Sequence, residues 1–411
     1  MTNGKYVPKR RFKEFESDGE WEQKLLSELA EVEGGGTPST VNPQYWDGDI
    51  DWYTPAEIGE SVFVDQSKRK ITVMGLDKSS AKILPIGTVL FTSRAGIGKT
   101  AILAREGCTN QGFQSIVPKE DLLASYFIYS QSNKLKQYGE RIGSGSTFVE
   151  VSGKQMSEMP LIVPSIFEQK QIGNYFQTID SLISLNQHKL DKLKDLKKAY
   201  LTEMFPAEGE RMPKRRFPGF EGEWSTKELR EITSLITKGT TPLDKSGEGE
   251  VNFIKVENLD ASNGKILSCS KISSEEHNGY LKRSQLNEND ILFSIAGTLG
   301  RIGIVESRIL PANTNQALAI IRNERSNLRY LAIALKSGSV TNFILRNPTI
   351  GAQPNLSLEQ VGSLEIPFPS LDEQKQIGEF FHKLDQSISL QQQKLDKLND
   401  LKKAYMNELF V

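Results

Sequence analysis

The chain nearly repeats itself at an offset of about 205 residues, and this duplication decides most of what it can fold into. Residues 164–205 (PSIFEQKQIGNYFQTIDSLISLNQHKLDKLKDLKKAYLTEMF) and 369–410 (PSLDEQKQIGEFFHKLDQSISLQQQKLDKLNDLKKAYMNELF) are identical at 27 of 42 positions. PKRRF at 8–12 returns at 213–217, followed each time by Phe-Glu and then Glu-Trp (Glu20-Trp21, Glu223-Trp224). Between these ends the copies keep only islands: GGGTP (34–38) against KGTTP (238–242), LFTSRAGIGK (90–99) against LFSIAGTLGR (292–301), and TNQ at 109–111 against 314–316. Such a chain holds two related units, each with variable contents inside a kept frame.

The best-kept segments read as helices. Ile172, Phe176, Ile179, Ile183, Leu190, Leu193 and Tyr200 follow a 4-3 spacing, repeated by Ile377, Phe381, Leu384, Ile388, Leu395, Leu398 and Tyr405. That is a coiled-coil seam. Both stretches lack Pro and Gly after the opening turn, which predicts one uninterrupted helix of about 35 residues in each, roughly 50 Å long at 1.5 Å per residue. One such stripe alone reads as a core helix or a homodimer zipper, but two like seams in one chain can pair with each other. Asn186 and Gln391 occupy equivalent polar seam positions. An antiparallel pair would bring them together at a pseudo-twofold axis, where a buried polar pair fixes register; the alternative is that both face solvent.

A chain of 411 residues fits two or three domains. The segments between helices alternate short β-rich runs (IDWYTP at 50–55, VNFIKV at 251–256, TVLFTS at 88–93, DILFSI at 290–295) with Gly, Pro, Asn and Asp. Helical runs at 122–138 and 327–345 make each lobe mixed. The expected class is α+β: two tandem recognition domains (20–163 and 223–367) joined by two long antiparallel coiled-coil helices (164–205 and 368–411), with an N-terminal arm (1–19) and a linker (206–222).

Composition excludes several classes. With 37% apolar and 25% charged residues and no apolar run of membrane length, the chain reads as soluble and not membrane-bound. No apolar stretch follows the charged amino terminus, so no secretory signal is read and a cytoplasmic location is expected. Cys108 and Cys269 are far apart and lack CxxC spacing, and His188, His277 and His382 are isolated, so no metal site is assigned. The net charge of −1 means that a nucleic-acid partner would require locally segregated charge, or charge shared with other subunits.

Two motifs mimic catalytic signatures. AGIGKT at 95–100 resembles the end of a P-loop, but Ser93 stands where that motif needs Gly, and the second copy continues Gly300-Arg301-Ile302 without the Lys or Ser/Thr that phosphate and magnesium binding need. NPQY at 42–45 resembles the amine-gripping motif of adenine methyltransferases but lacks its second Pro and any Gly-rich cofactor motif before it. No catalytic residue is assigned.

A variable domain opened by a G-T-P turn and closed by V-P-S or P-x-P-S, then E-Q-K-Q-I-G and a long helix, all repeated once, closely resembles the specificity subunits of type I restriction-modification systems. The resemblance covers nearly the whole chain and rests on the duplicated order of segments. It implies a subunit without catalysis of its own, whose two domains each read one half of a bipartite target in double-stranded DNA, with the helices as spacer and docking surface. Two methylation subunits would bring S-adenosylmethionine, and translocating restriction subunits would bring ATP and magnesium. Domains about 50 Å apart, less a footprint of about three to five base pairs each, leave an unread gap of roughly five to ten. Unlike lobes predict unlike half-sites.

On that reading, the Gly-rich turns bearing Arg94 and Lys99 in one lobe and Arg301 in the other would bring backbone amides and a cation to DNA; otherwise they are structural hairpins. Asn110, Gln111, Asn315 and Gln316 are amides of the kind that read adenine bidentately, although their sharing between lobes argues for scaffold. Specific readout is expected in residues that the lobes do not share: Ser144, Ser146 and Thr147 in GSGSTF, and Gln353 and Asn355 in GAQPN. The PKRRF segments would touch phosphates or serve a subunit-docking or linker role, since they join lobes to helices. From a different class, a coiled-coil adaptor whose lobes bind protein or carbohydrate fits the near-neutral charge. An ATPase or methyltransferase would need a cofactor motif that is not found.

Overall fold

In each lobe the Val-, Ile- and Phe-rich runs form strands bounded by the turn residues between them. The computed structural model describes residues 6–94, 96–143, 150–260, 263–346 and 355–411. These fall into two compact units, one made of Met1–Leu185 with Asp396–Val411 and the other of Asn186–Leu395. Both long helices are therefore divided between units, so the units do not coincide with the linear repeat.

The first unit holds a five-stranded sheet in the order Ala30–Gly34, Gln114–Pro118, Val89–Phe91, Thr100–Leu103 and Phe63–Val64. A second sheet orders Arg69–Ile71, Trp46–Tyr53 and Cys108–Thr109, with Trp52 opposite Cys108 in a parallel pair. The second unit repeats the plan with Thr233–Lys238, Leu318–Asn323, Ile291–Ser294 and Ile302–Ile304, then Ser270–Ile272, Val251–Ile254 and Ala312–Thr314. There Phe253 lies opposite Asn313, also parallel. Each lobe is closed by a two-stranded ribbon joining its first and last strands, Glu22 opposite Val163 and Ser225 opposite Phe368.

The helical runs expected at 122–138 and 327–345 are each broken in two: Ser125–Ser130 and Ser132–Gly143, and Leu328–Ala334 and Gly338–Arg346. Gln131 separates the first pair, where the Ser132 hydroxyl donates to the carbonyl of Tyr129, and Leu335, Lys336 and Ser337 separate the second. Serine hydroxyls that bond to the backbone compete with helix continuation.

The two long helices, Ile166–Glu203 and Leu371–Leu409, run 38 and 39 residues. Seam residues Ile172, Phe176, Ile179, Leu190, Ile377, Phe381, Leu384, Ile388 and Leu395 are buried, while Ile183, Leu193 and Leu398 are half-buried. Within the second unit the helices run antiparallel, with Lys197 paired to Asp385, Tyr200 edge-on to Phe380, and Asn186 meeting Gln391. Within the first unit, Asp180 pairs with Lys402, and Phe410 packs against Trp21, Phe127 and Phe176.

EQKQIG is the joint between lobe and helix. Arg11 of the first PKRRF donates through Nε and Nη2 to the carboxylate of Glu168, and Arg216 of the second does the same to Glu373 at 2.6 and 2.7 Å. The following glutamine ties the lobe's helix to the long one: Gln169 accepts from Ala124 N and donates to Leu122 O, and Gln374 accepts from Asn327 N. These arginines fasten the N-terminal arm and the linker to the long helices.

Candidate nucleic-acid interface

Three islands that the lobes share in sequence converge in space, in the same way in both. Gly36 N donates to Thr109 O and Thr240 N to Thr314 O, which seats each G-T-P turn on its T-N-Q turn. Ser93 N donates to Gly112 O and Ile295 N to Ala317 O, which joins the T-N-Q turn to the hairpin turn. Val151 N donates to Ser93 O and Leu356 N to Ile295 O, so the segment before each long helix meets the same place.

Glycine is required where the G-T-P turn touches down. A Cβ on Gly35 would lie 2.0 Å from Asn110 O, and one on Gly239 would lie 2.0 Å from Thr314 O. Nothing larger than hydrogen fits at either position.

The shared amides are committed to this scaffold through their oxygens. Asn110 Oδ1 accepts from Gly112 N at 2.8 Å, and Asn315 Oδ1 accepts from Ala317 N at 3.2 Å. Thr37 donates its hydroxyl to Gln111 Oε1, and Thr241 donates to Gln316 Oε1. Both glutamines are exposed and both asparagines half-buried. What each side chain still presents is its NH₂ group and the second lone pair of its oxygen. These bonds make the four residues parts of the turn scaffold, the use that their sharing between the lobes suggests.

The Gly-rich turns are also bonded within the fold. Gly98 N donates to Thr92 O and Lys99 N to the Thr92 hydroxyl; Gly300 N donates to Ser294 O and Arg301 N to the Ser294 hydroxyl at 2.7 Å. The amides of Gly98, Lys99, Gly300 and Arg301 are thus used within the hairpins. Arg301 turns inward, with Nη1 donating to Val256 O at 3.4 Å, whereas Lys99 is exposed and Arg94 half-buried. Asn355 is exposed and bridges to Ala296 through its backbone. Ser144, Ser146, Thr147 and Gln353 lie outside the described residues.

Sequence reasoning missed the basic side chains beside these turns. In the first unit the Arg69 guanidinium lies 3.8 Å over the Trp46 ring, and Trp52 Nε1 donates to Gly36 O. In the second unit a cleft is lined by Lys245, Lys255, Lys271, Asn315 and Gln316. Lysines scattered in the variable stretches carry no spacing signal that would have drawn them together. Among the described residues, no group of three or more His, Cys, Asp or Glu could hold a metal ion, and no helix is long and apolar enough to cross a membrane. Burial pushes the Cys108 thiol up to about 11, so it is a packed side chain and not a reactive one.

Comparison with known proteins adds to this geometry. The sequence model of the type I restriction modification DNA specificity domain matches residues 18–195 and 221–400, once per repeat. The chain is 30% identical over 331 residues to the type I restriction enzyme MjaIX specificity subunit of Methanocaldococcus jannaschii, covering 76% of this chain and 75% of that one. It is 25% identical over 291 residues to the EcoBI specificity subunit of Escherichia coli, covering 65% and 60%. In fold it is similar to the crystal structure of the type I restriction-modification S subunit from M. genitalium, with a TM-score of 0.62 over 98% of this chain and 99% of that one at 15% identity. With both repeats matched and the MjaIX subunit aligned across three quarters of its length, the chain belongs to the type I restriction-modification DNA specificity family.

Proposed function

We propose that this chain binds double-stranded DNA and selects the target of a type I restriction-modification complex, each lobe reading one half of a gapped, two-part sequence. The carrying observation is the duplicated cluster of G-T-P, T-N-Q and hairpin turns, a kept frame that holds unlike loops in the two lobes. Shared residues build the platform and unshared residues distinguish the half-sites. The long helices set the spacing and dock two methylation subunits, with restriction subunits joining them. Adenine methylation and cleavage are the partners' work, and S-adenosylmethionine, ATP and magnesium are their cofactors.

Mapping N6-methyladenine across the host genome with and without this gene tests the proposal. Loss of one gapped, two-part methylation motif on deletion is the expected result. If the complex binds no duplex selectively and the map is unchanged, the coiled-coil adaptor reading replaces this one.

A further inference from the structure

We propose that the lysine-lined cleft beside the T-N-Q turn of the second unit grips the phosphate backbone of duplex DNA and leaves base reading to other residues of that lobe. The inference rests on the DNA-binding function proposed above and assigns one part of it to named side chains.

The cleft encloses about 270 Å³, and Lys245, Lys255 and Lys271 line it with Asn315 and Gln316. Lys255 and Lys271 are half-buried and Lys245 is exposed. Lys271 is positioned by donating Nζ to Asn252 Oδ1 at 2.8 Å. Lys245 and Lys255 make no ion pair among the described residues. Asp244 is the one carboxylate in the lining, and its oxygens are occupied by Ser246 N and the Ser246 hydroxyl at 2.8 and 2.9 Å.

The donor inventory selects the ligand. Three ammonium groups against the single carboxylate of Asp244 leave the lining cationic, and the two amides each add an NH₂ donor. A cationic surface rich in donors fits an anionic ligand whose exposed atoms accept, as phosphate oxygens do. A base edge that mixes donors and acceptors is matched less well.

Among the described residues, the corresponding positions of the first unit are engaged differently. Lys70, opposite Asp51 as Lys271 is opposite Asn252, forms an ion pair with that aspartate at 3.4 Å. Its neighbour Arg69 lies on Trp46. Among the described residues, the grip is therefore assigned to the second lobe.

The test uses the complex with its methylation subunits and two labelled duplexes, one carrying the methylated target and one lacking it, titrated with salt. Lys245→Ala and Lys255→Ala should each weaken both duplexes by the same factor. Each should also lower the slope of log affinity against log salt by about 0.9, the value for one lost phosphate contact, and leave the methylated sequence unchanged. Lys255→Glu should enlarge the loss. Unchanged affinity and slope, or a loss confined to the target duplex with altered base preference, would overturn the grip while leaving the functional proposal standing. A wild-type complex that binds neither duplex would overturn both.

Discussion

Gln391 donates from one amide nitrogen to both the side-chain and the main-chain oxygen of Asn186, at 2.8 and 2.9 Å, between two stretches of helix otherwise sealed by aliphatic residues. Asn186 is 2% exposed. A polar pair in such a place costs stability and restricts which alignments of the helices are allowed.

Gln391→Leu alone should therefore destabilise by about 1 to 2 kcal/mol, the usual cost of removing one partner of a buried hydrogen bond. The double change Asn186→Leu with Gln391→Leu should be neutral or stabilising in urea unfolding. A double variant as unstable as the single one would show that the pair contributes net stability.

The Arg216–Glu373 pair is bidentate, with side chains 15% and 1% exposed. Arg216→Met should cost about 3 kcal/mol because it leaves a buried carboxylate uncompensated. Arg216→Lys should rescue little, since an ammonium cannot fork onto both oxygens. Thermal unfolding, together with proteolysis of the PKRRF segment, would register the loss.

Gly239→Ala should lift the G-T-P turn from Thr314 and cost about 1 to 3 kcal/mol. DNA affinity should fall at the half-site read by the second lobe and not at the other. Gly338→Ala, where an added Cβ meets nothing within 4 Å, is the matched control. Competition between duplexes altered in one half-site at a time would separate the two outcomes.

Lys336 faces a cleft lined also by Lys265, Arg329, His382, Asp385 and Glu306. Burial, reinforced by the nearby Lys197 charge, pushes its ammonium down to about 8, with Asp385 and Asp260 opposing. The unfolded chain holds that proton up to the ordinary lysine range, so between about pH 8 and pH 10 the unfolded state binds more protons and this group's contribution to stability rises with pH. Below pH 8 the cost of burying the charge is present in full. Lys336→Met should therefore be more stable than wild type near pH 7 by about 3 kcal/mol at most, and the advantage should shrink by pH 10, as read by melting temperature.

The helices were legible because a 4-3 stripe repeated at fixed offset leaves little else to choose, and the strand runs were legible from β-branched residues between turns. What the sequence concealed was which polar atoms were already bonded within the fold. Asn110 and Gln316 look like base readers, but their oxygens accept from Gly112 N and the Thr241 hydroxyl within the turn scaffold. Arg301 looks like a free cation until it turns toward Val256. Lys271 comes beside Lys255 because the strand at Ser270–Ile272 pairs with that at Val251–Ile254, and the loop of Lys245 joins them where Lys271 N donates to Gly247 O, a register with no local signature.

Residues 396–411 complete a unit whose other residues end at 185, and Phe410 covers Trp21, Phe127 and Phe176 there. A ribosome adding roughly 5 to 20 residues per second takes on the order of 10 to 40 s to cross the intervening sequence. Birth order and completion order are thus reversed: the lobe that emerges first waits with an aromatic face uncovered, while the later one, a continuous segment, can close beforehand. During that interval the nascent chain offers chaperones an apolar patch that the finished protein no longer has.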